Sequence, residues 1–165
     1  QCRLAGEGPD LAETLWQEIE VEGEQGTLAF YTEADGRWLL ARITEDGRKQ
    51  LAAAAAEKSD EWRSLGVSIL HRLAMDNLLG ATGLPSPKYV HSVEEVVESL
   101  DKGDEVGRDA TGQMGAGGRF PLAALVMPAT LEHIRAVSQH GERMPPKSTY
   151  FYPKLLSGLV FNPLE

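Results

Sequence analysis

The chain has 165 residues, 42% of them hydrophobic and 25% charged, with a net charge of −9. That length and balance describe one domain able to bury a core, and they exclude wholesale disorder. No apolar run reaches the ~18 residues of a membrane span, and the acid excess argues against duplex DNA as a partner, which calls for a basic footprint.

The acids are unevenly placed: residues 1–62 hold 14 acids and 6 bases, and residues 63–165 hold 11 and 10. The lone cysteine, Cys2, excludes an internal disulfide and fits a reducing cytoplasm. No secretory signal pattern opens the sequence, and residues 1–9 are expected to be a frayed end.

In chain order, Asp10 and Glu13 make a capping-box-like start, Leu11, Leu15 and Ile19 follow at helical spacing, and Gly23 stops a helix predicted over 10–22. A hairpin is predicted next. Thr27–Thr32 and Trp38–Ile43 are rich in β-formers, Asp35-Gly36 turns between them, and Asp46-Gly47 closes the second strand. The run Leu51–Ala56 is alanine-rich and helical by propensity. Residues 61–79 read as one long helix with Trp62, Ile69 and Leu73 on a common face. Beyond the Gly83–Pro87 link, Lys88–His91 suit a short strand.

Ser92 and Glu95 form a capping box, and Val93, Val96, Val97 and Leu100 follow the i, i+3, i+4, i+7 pattern of an amphipathic helix. Residues 103–119, with glycines at 103, 107, 112, 115, 117 and 118, are expected to be a mobile loop. They are not a phosphate loop, because no GK[ST] ending is present and the run precedes a strand instead of opening a helix. Leu122–Met127 reads as a buried strand, Thr130 as the cap of a helix over 130–140, and Leu156–Phe161 as a last strand. The sum is a single α+β (mixed α/β) domain: a sheet that includes the N-terminal hairpin, with three or more helices packed on it. Leu70, Leu73, Val96, Val97, Leu125, Ile134 and Leu159 are its predicted core.

None of the four histidines, His71, His91, His133 and His140, has metal-site spacing, and each reads as structural. No nucleophile elbow occurs. The chemically dense segment is Gly141–Lys154. Arg143, Lys147 and Lys154 face only Glu142 there, Ser148 and Thr149 add hydroxyls, and Tyr150, Phe151 and Tyr152 add flat apolar surface. Pro145, Pro146 and Pro153 stiffen the backbone and suppress helix. Cations and hydroxyls on a restrained loop suit an anionic small molecule. The same composition also suits a loop whose aromatics are buried and whose lysines are solvated.

The run Arg143-Met-Pro-Pro-Lys-Ser-Thr-Tyr-Phe-Tyr-Pro-Lys154, followed by Ser157-Gly-Leu-Val160, resembles the C-terminal signature of the family called domain of unknown function 1015. So do the strand ending in Met127-Pro128, the helix ending in Gly141-Glu142 and the Leu70-His71 helix, which together span roughly residues 27–162. Members of that family are longer and carry an upstream motif like Asp-Gly-His-His-Arg, in a region similar to ParB-type and free-serine-kinase domains. That motif does not occur in this sequence. The resemblance therefore implies the C-terminal domain of a longer cytoplasmic protein, partnered by its own upstream domain. It implies a site for a phosphate-bearing ligand, with Arg143, Lys147, Ser148, Thr149 and Lys154 as contacts, and no cofactor within this segment. ATP or ADP with Mg would serve the longer protein, in the manner of a small-molecule kinase. A non-catalytic regulatory or partition-type module is the alternative; a small basic pocket favours the first reading and a broad basic stripe the second.

Overall fold

The computed structural model describes residues 1–81, 87–103 and 119–149. Among these, four strands form one antiparallel sheet in the order β1-β3-β2-β4: β1 (Cys2–Glu7), β2 (Thr27–Thr32), β3 (Arg37–Arg42) and β4 (Leu122–Val126). The hairpin β2–β3 forms where the β-branched and aromatic alternation placed it, turned by Gly36 at φ 67°. The strand expected at 156–161, and Leu159 with it, lies outside the described residues, as do positions 104–118 of the glycine-rich stretch.

Strand alternation sends side chains to two faces, and both faces are covered. On one face Ala29, Tyr31, Trp38, Leu40 and Leu125 meet Ala12, Leu15 and Ile19 of α1 (Leu11–Glu22) and Val96 and Leu100 of α5 (Val93–Lys102). On the other, Leu28 packs with Leu51 of α2 (Glu45–Ala54) and with Ile69 and Leu73 of a π-helix (Ile69–Leu78). The result is a three-layer α+β domain. Of the predicted core, Leu73, Val96 and Leu125 are buried, while Leu70, Val97 and Ile134 are half-buried. Among the described residues no helix is long and apolar enough to cross a membrane.

A third, smaller cluster sits to one side. Ala55, Trp62, Leu65 and Val137 are buried together, with Ala129 and Met144 packed against them. Trp62 belongs to α3 (Asp60–Ser64) and Val137 to α6 (Leu131–Gln139). This cluster carries the loop that follows α6.

Several expectations are corrected. Residues 1–9 are not a frayed end: Cys2–Glu7 pair with β3 as an edge strand, broken by a bulge between Leu4 and Gly6. Its residues are mostly exposed, so the main-chain ladder holds it and no hydrophobic alternation betrays it. Asp10 is itself helical and makes no side-chain cap. Asp46-Gly47 does not close β3 but lies in the first turn of α2, capped by the Thr44 hydroxyl that accepts from Gly47 N–H at 3.1 Å. The segment 61–79 is not one helix. The backbone extends at Leu65 (ψ 136°) between α3 and a short turn, α4 (Gly66–Ser68), after which the chain winds as a π-helix. Gly66 causes that break by packing: its N–H donates to Gln25 Oε1 at 2.9 Å, and a Cβ there would stand 2.8 Å from Val126 Cγ1. Lys88–Val90 are irregular and His91 is in a bend, so the suggested strand there does not form.

Candidate functional site: the turn after α6

Helix α6 begins with a reciprocal cap. Thr130 Oγ1 accepts from His133 N–H, and His133 Nδ1 accepts from Thr130 N–H at 3.1 Å. The helix ends at Gly141, with φ 68°, whose N–H returns to Ser138 O at 2.9 Å.

From there the chain is pinned to α3 at three points. The Glu142 carboxylate accepts from Ser59 N–H at 2.9 Å and from Ser59 Oγ at 2.7 Å. The Trp62 indole N–H donates to Arg143 O at 3.2 Å. Met144 packs into the Trp62–Val137 cluster. Ser59 also accepts from Trp62 N–H as the N-cap of α3, so one residue ties the helix start to the loop. These bonds to Ser59 hold the Glu142 carboxyl below its usual value, and the nearby Lys58 adds to the effect. Lys58 lies over the Trp62 ring at 5.5 Å.

Pro145–Ser148 then close a tight turn. Ser148 N–H donates to Pro145 O at 3.3 Å, and the Ser148 hydroxyl donates to the same carbonyl at 2.7 Å. Pro146 occupies the first central position and Lys147 the second, at φ 62°, which is the type II pattern that normally calls for glycine. Lys147 is the one non-glycine at positive φ among the described residues. It is exposed, whereas Pro145 and Ser148 are buried.

The predicted site residues thus separate. Lys147 stands on the turn's outer side, Thr149 is half-buried beyond it, and Arg143 is exposed with its carbonyl fixed by Trp62. Ser148, only 5% exposed, spends its proton on the turn, so it shapes the site and does not present a free hydroxyl. Lys154 lies outside the described residues. The bonds by which Ser59, Trp62 and Glu142 position the turn were not legible in the sequence. Ser59 and Glu142 are 83 residues apart and Trp62 and Arg143 are 81 apart, and no periodicity or spacing links either pair.

Two surface depressions lie elsewhere. A groove of 670 Å³ between α1 and α5 is lined by Asp10, Glu13, Glu94, Glu98 and Asp101, with Lys102; its carboxylates repel phosphate. A smaller one, of 150 Å³, lies beside the paired Arg3–Glu18 and Arg42–Glu22. No group of three or more His, Cys, Asp or Glu side chains among the described residues could hold a metal ion. Glu142, the carboxylate nearest the turn in sequence, is committed to Ser59. Among the described residues the turn therefore offers no Mg ligand set.

No family model, no curated protein and no solved structure matches the chain.

Proposed function

We propose that the chain forms one wall of a site for a phosphate-bearing small ligand, a nucleotide or phosphometabolite, with the turn at 145–149 as its anion contact. The observation that carries this reading is Lys147. A lysine held in the left-handed region costs conformational energy that glycine would not, and such strain is characteristically retained where a side chain has a task. Here the turn is bracketed by buried Pro145 and Ser148 and pinned to α3 through Glu142 and Arg143. The ammonium is thus presented on a backbone already ordered, which lowers the cost of binding. Arg143 and Thr149 flank it, and Lys154 adds a second ammonium in sequence.

The resemblance to the longer family supplies the context of the proposal. An upstream domain of the same protein would complete the site and hold Mg-ATP or Mg-ADP for phosphoryl transfer to a small hydroxyl-bearing acceptor. This segment contributes phosphate binding and orientation. The test is calorimetric titration of the protein with ATP and with inorganic phosphate. Lys147→Ala should weaken both by about tenfold, the usual scale for one charge-assisted contact, without lowering the melting temperature. Undiminished binding in Lys147→Ala would refute the proposal.

A further inference from the structure

Helices α1 and α5 pack side by side on one face of the sheet, with the 670 Å³ groove between them. That volume is in the range of a binding cleft. The pattern of α5 fixes how the groove is lined. At ~100° per residue, Val93 and Val97 fall between the buried row Val96–Leu100 and the exposed row Glu94–Glu98. They are therefore half-buried: each packs against the core cluster on one side and lines the groove on the other. Glu94 and Glu98 form one bank. Asp10 and Glu13, from the start of α1, form the other, and both are exposed. At the C-terminal end of α5, Asp101 and Lys102 complete the lining. An apolar floor thus runs between two lines of carboxylate. Lys102 is the one base among the lining residues, and it bridges Glu98 at 2.6 Å.

We propose that this groove docks a basic amphipathic helix of a partner protein. Two apolar side chains of that helix rest on Val93 and Val97, and its lysines or arginines meet the acidic banks. The charge selects the partner's sign: five carboxylates against one ammonium repel acidic surfaces and steer basic ones. The floor selects its form. Valines four residues apart match apolar side chains at i and i+4 of a docked helix, whereas a polyamine leaves that floor open to water. Among the described residues these acids do not converge as a metal ligand set. From Val93 to Lys102 the lining of α5 rises about 14 Å, or about two and a half turns of a partner helix. The chain itself does not match the groove in charge. Residues 104–118 hold three acids and one base, residues 150–165 hold one of each, and a second copy brings a net charge of −9. The partner is therefore a different, basic protein. The site is separate from the Lys147 turn, which is carried by α3 and α6.

The test titrates the protein with a labelled helical peptide of about 12 residues, its leucines at i, i+4 spacing and lysine at the other positions. A scrambled peptide keeps the charge and loses the apolar stripe, a glutamate version keeps the stripe and reverses the charge, and spermine supplies cations alone. Affinity is read by fluorescence anisotropy at ~150 mM salt, and location by the Val93 and Val97 methyl resonances. The leucine–lysine peptide should bind and shift both methyls. Glu13→Lys and Asp101→Lys, both on the exposed rim, should each weaken it by about five- to tenfold with the melting temperature retained. Lys147→Ala should leave it unchanged. Absence of binding, equal binding of the scrambled or glutamate peptide, displacement by equimolar spermine, unaltered affinity in both charge reversals, or binding without methyl shifts would each overturn the proposal. So would a dimer of this chain whose formation shifts the same methyls.

Discussion

Replacing Lys147 by glycine should make the protein more stable while removing the cation on which the proposed phosphate site depends. Lys147 sits at φ 62°, in the region where the Cβ of an L-residue crowds its own carbonyl, at a cost of about 1–2 kcal/mol. Glycine removes that cost but adds about 0.5–1 kcal/mol of unfolded-state entropy to be lost on folding. The net expectation is a gain of about 0.5–1 kcal/mol for Lys147→Gly over Lys147→Ala, since alanine keeps the Cβ and the strain. For a chain of this size that corresponds to a rise of about 1–4 °C in melting temperature. The assay is a paired urea and thermal melt of wild type, Lys147→Ala and Lys147→Gly, with phosphate titrations of the same three proteins. The lysine and alanine proteins should melt together, the glycine variant above them, and both variants should lose phosphate affinity. A glycine variant no more stable than the alanine one would refute the left-handed turn and the argument built on it.

Other outcomes follow from the packing and the charges. Trp38 is fully buried, its ring 5.2 Å from Tyr31 and its indole N–H 2.9 Å from Gly8 O. Trp38→Ala should cost about 3–5 kcal/mol by urea denaturation, from the cavity and the orphaned carbonyl. Gly66→Ala would place a methyl 2.8 Å from Val126 Cγ1 and 3.1 Å from Gln25 O, and should cost about 1–3 kcal/mol in the same assay. The Glu22 carboxyl is held below its usual 4.5 by bonds from Arg42 and Thr27. Its folded pKa is lower than its unfolded one, so its contribution is complete above 4.5 and fades as pH falls through the folded value. Glu22→Gln should thus be less stable than wild type at pH 7 and converge with it in acid melts. For His71, lowered by burial from 6.5, stability declines as pH drops below that value, and His71→Gln should flatten this segment of the pH–stability curve.

Local patterning determined the hairpin, the helix over Val93–Lys102 and the helix capped by Thr130, because each carries its own period and its own start signal. It also marked Gly141–Lys154 as the chemically dense segment, through a local charge reversed against the rest of the chain. Tertiary structure decided the remainder. The edge strand Cys2–Glu7 exists because β3 offers it a ladder, and main-chain hydrogen bonds leave no trace in side-chain alternation. The periodic run after Trp62 breaks at Leu65–Gly66 because Gln25 and Val126 come too close for a side chain at Gly66. Gln25 itself bridges Gly66 N–H and Pro128 O across 103 residues of chain, a role no propensity encodes. The division of labour within the turn was likewise invisible from residue types. Ser148 and Lys147 are adjacent and both polar, yet Ser148 is buried with its hydroxyl bonded to Pro145 O while Lys147 is exposed. Helix periods and caps act over a few residues and can be read along the chain. Which polar group is spent on the scaffold, and which is left exposed, depends on contacts between positions that meet only once the sheet and its helices have packed.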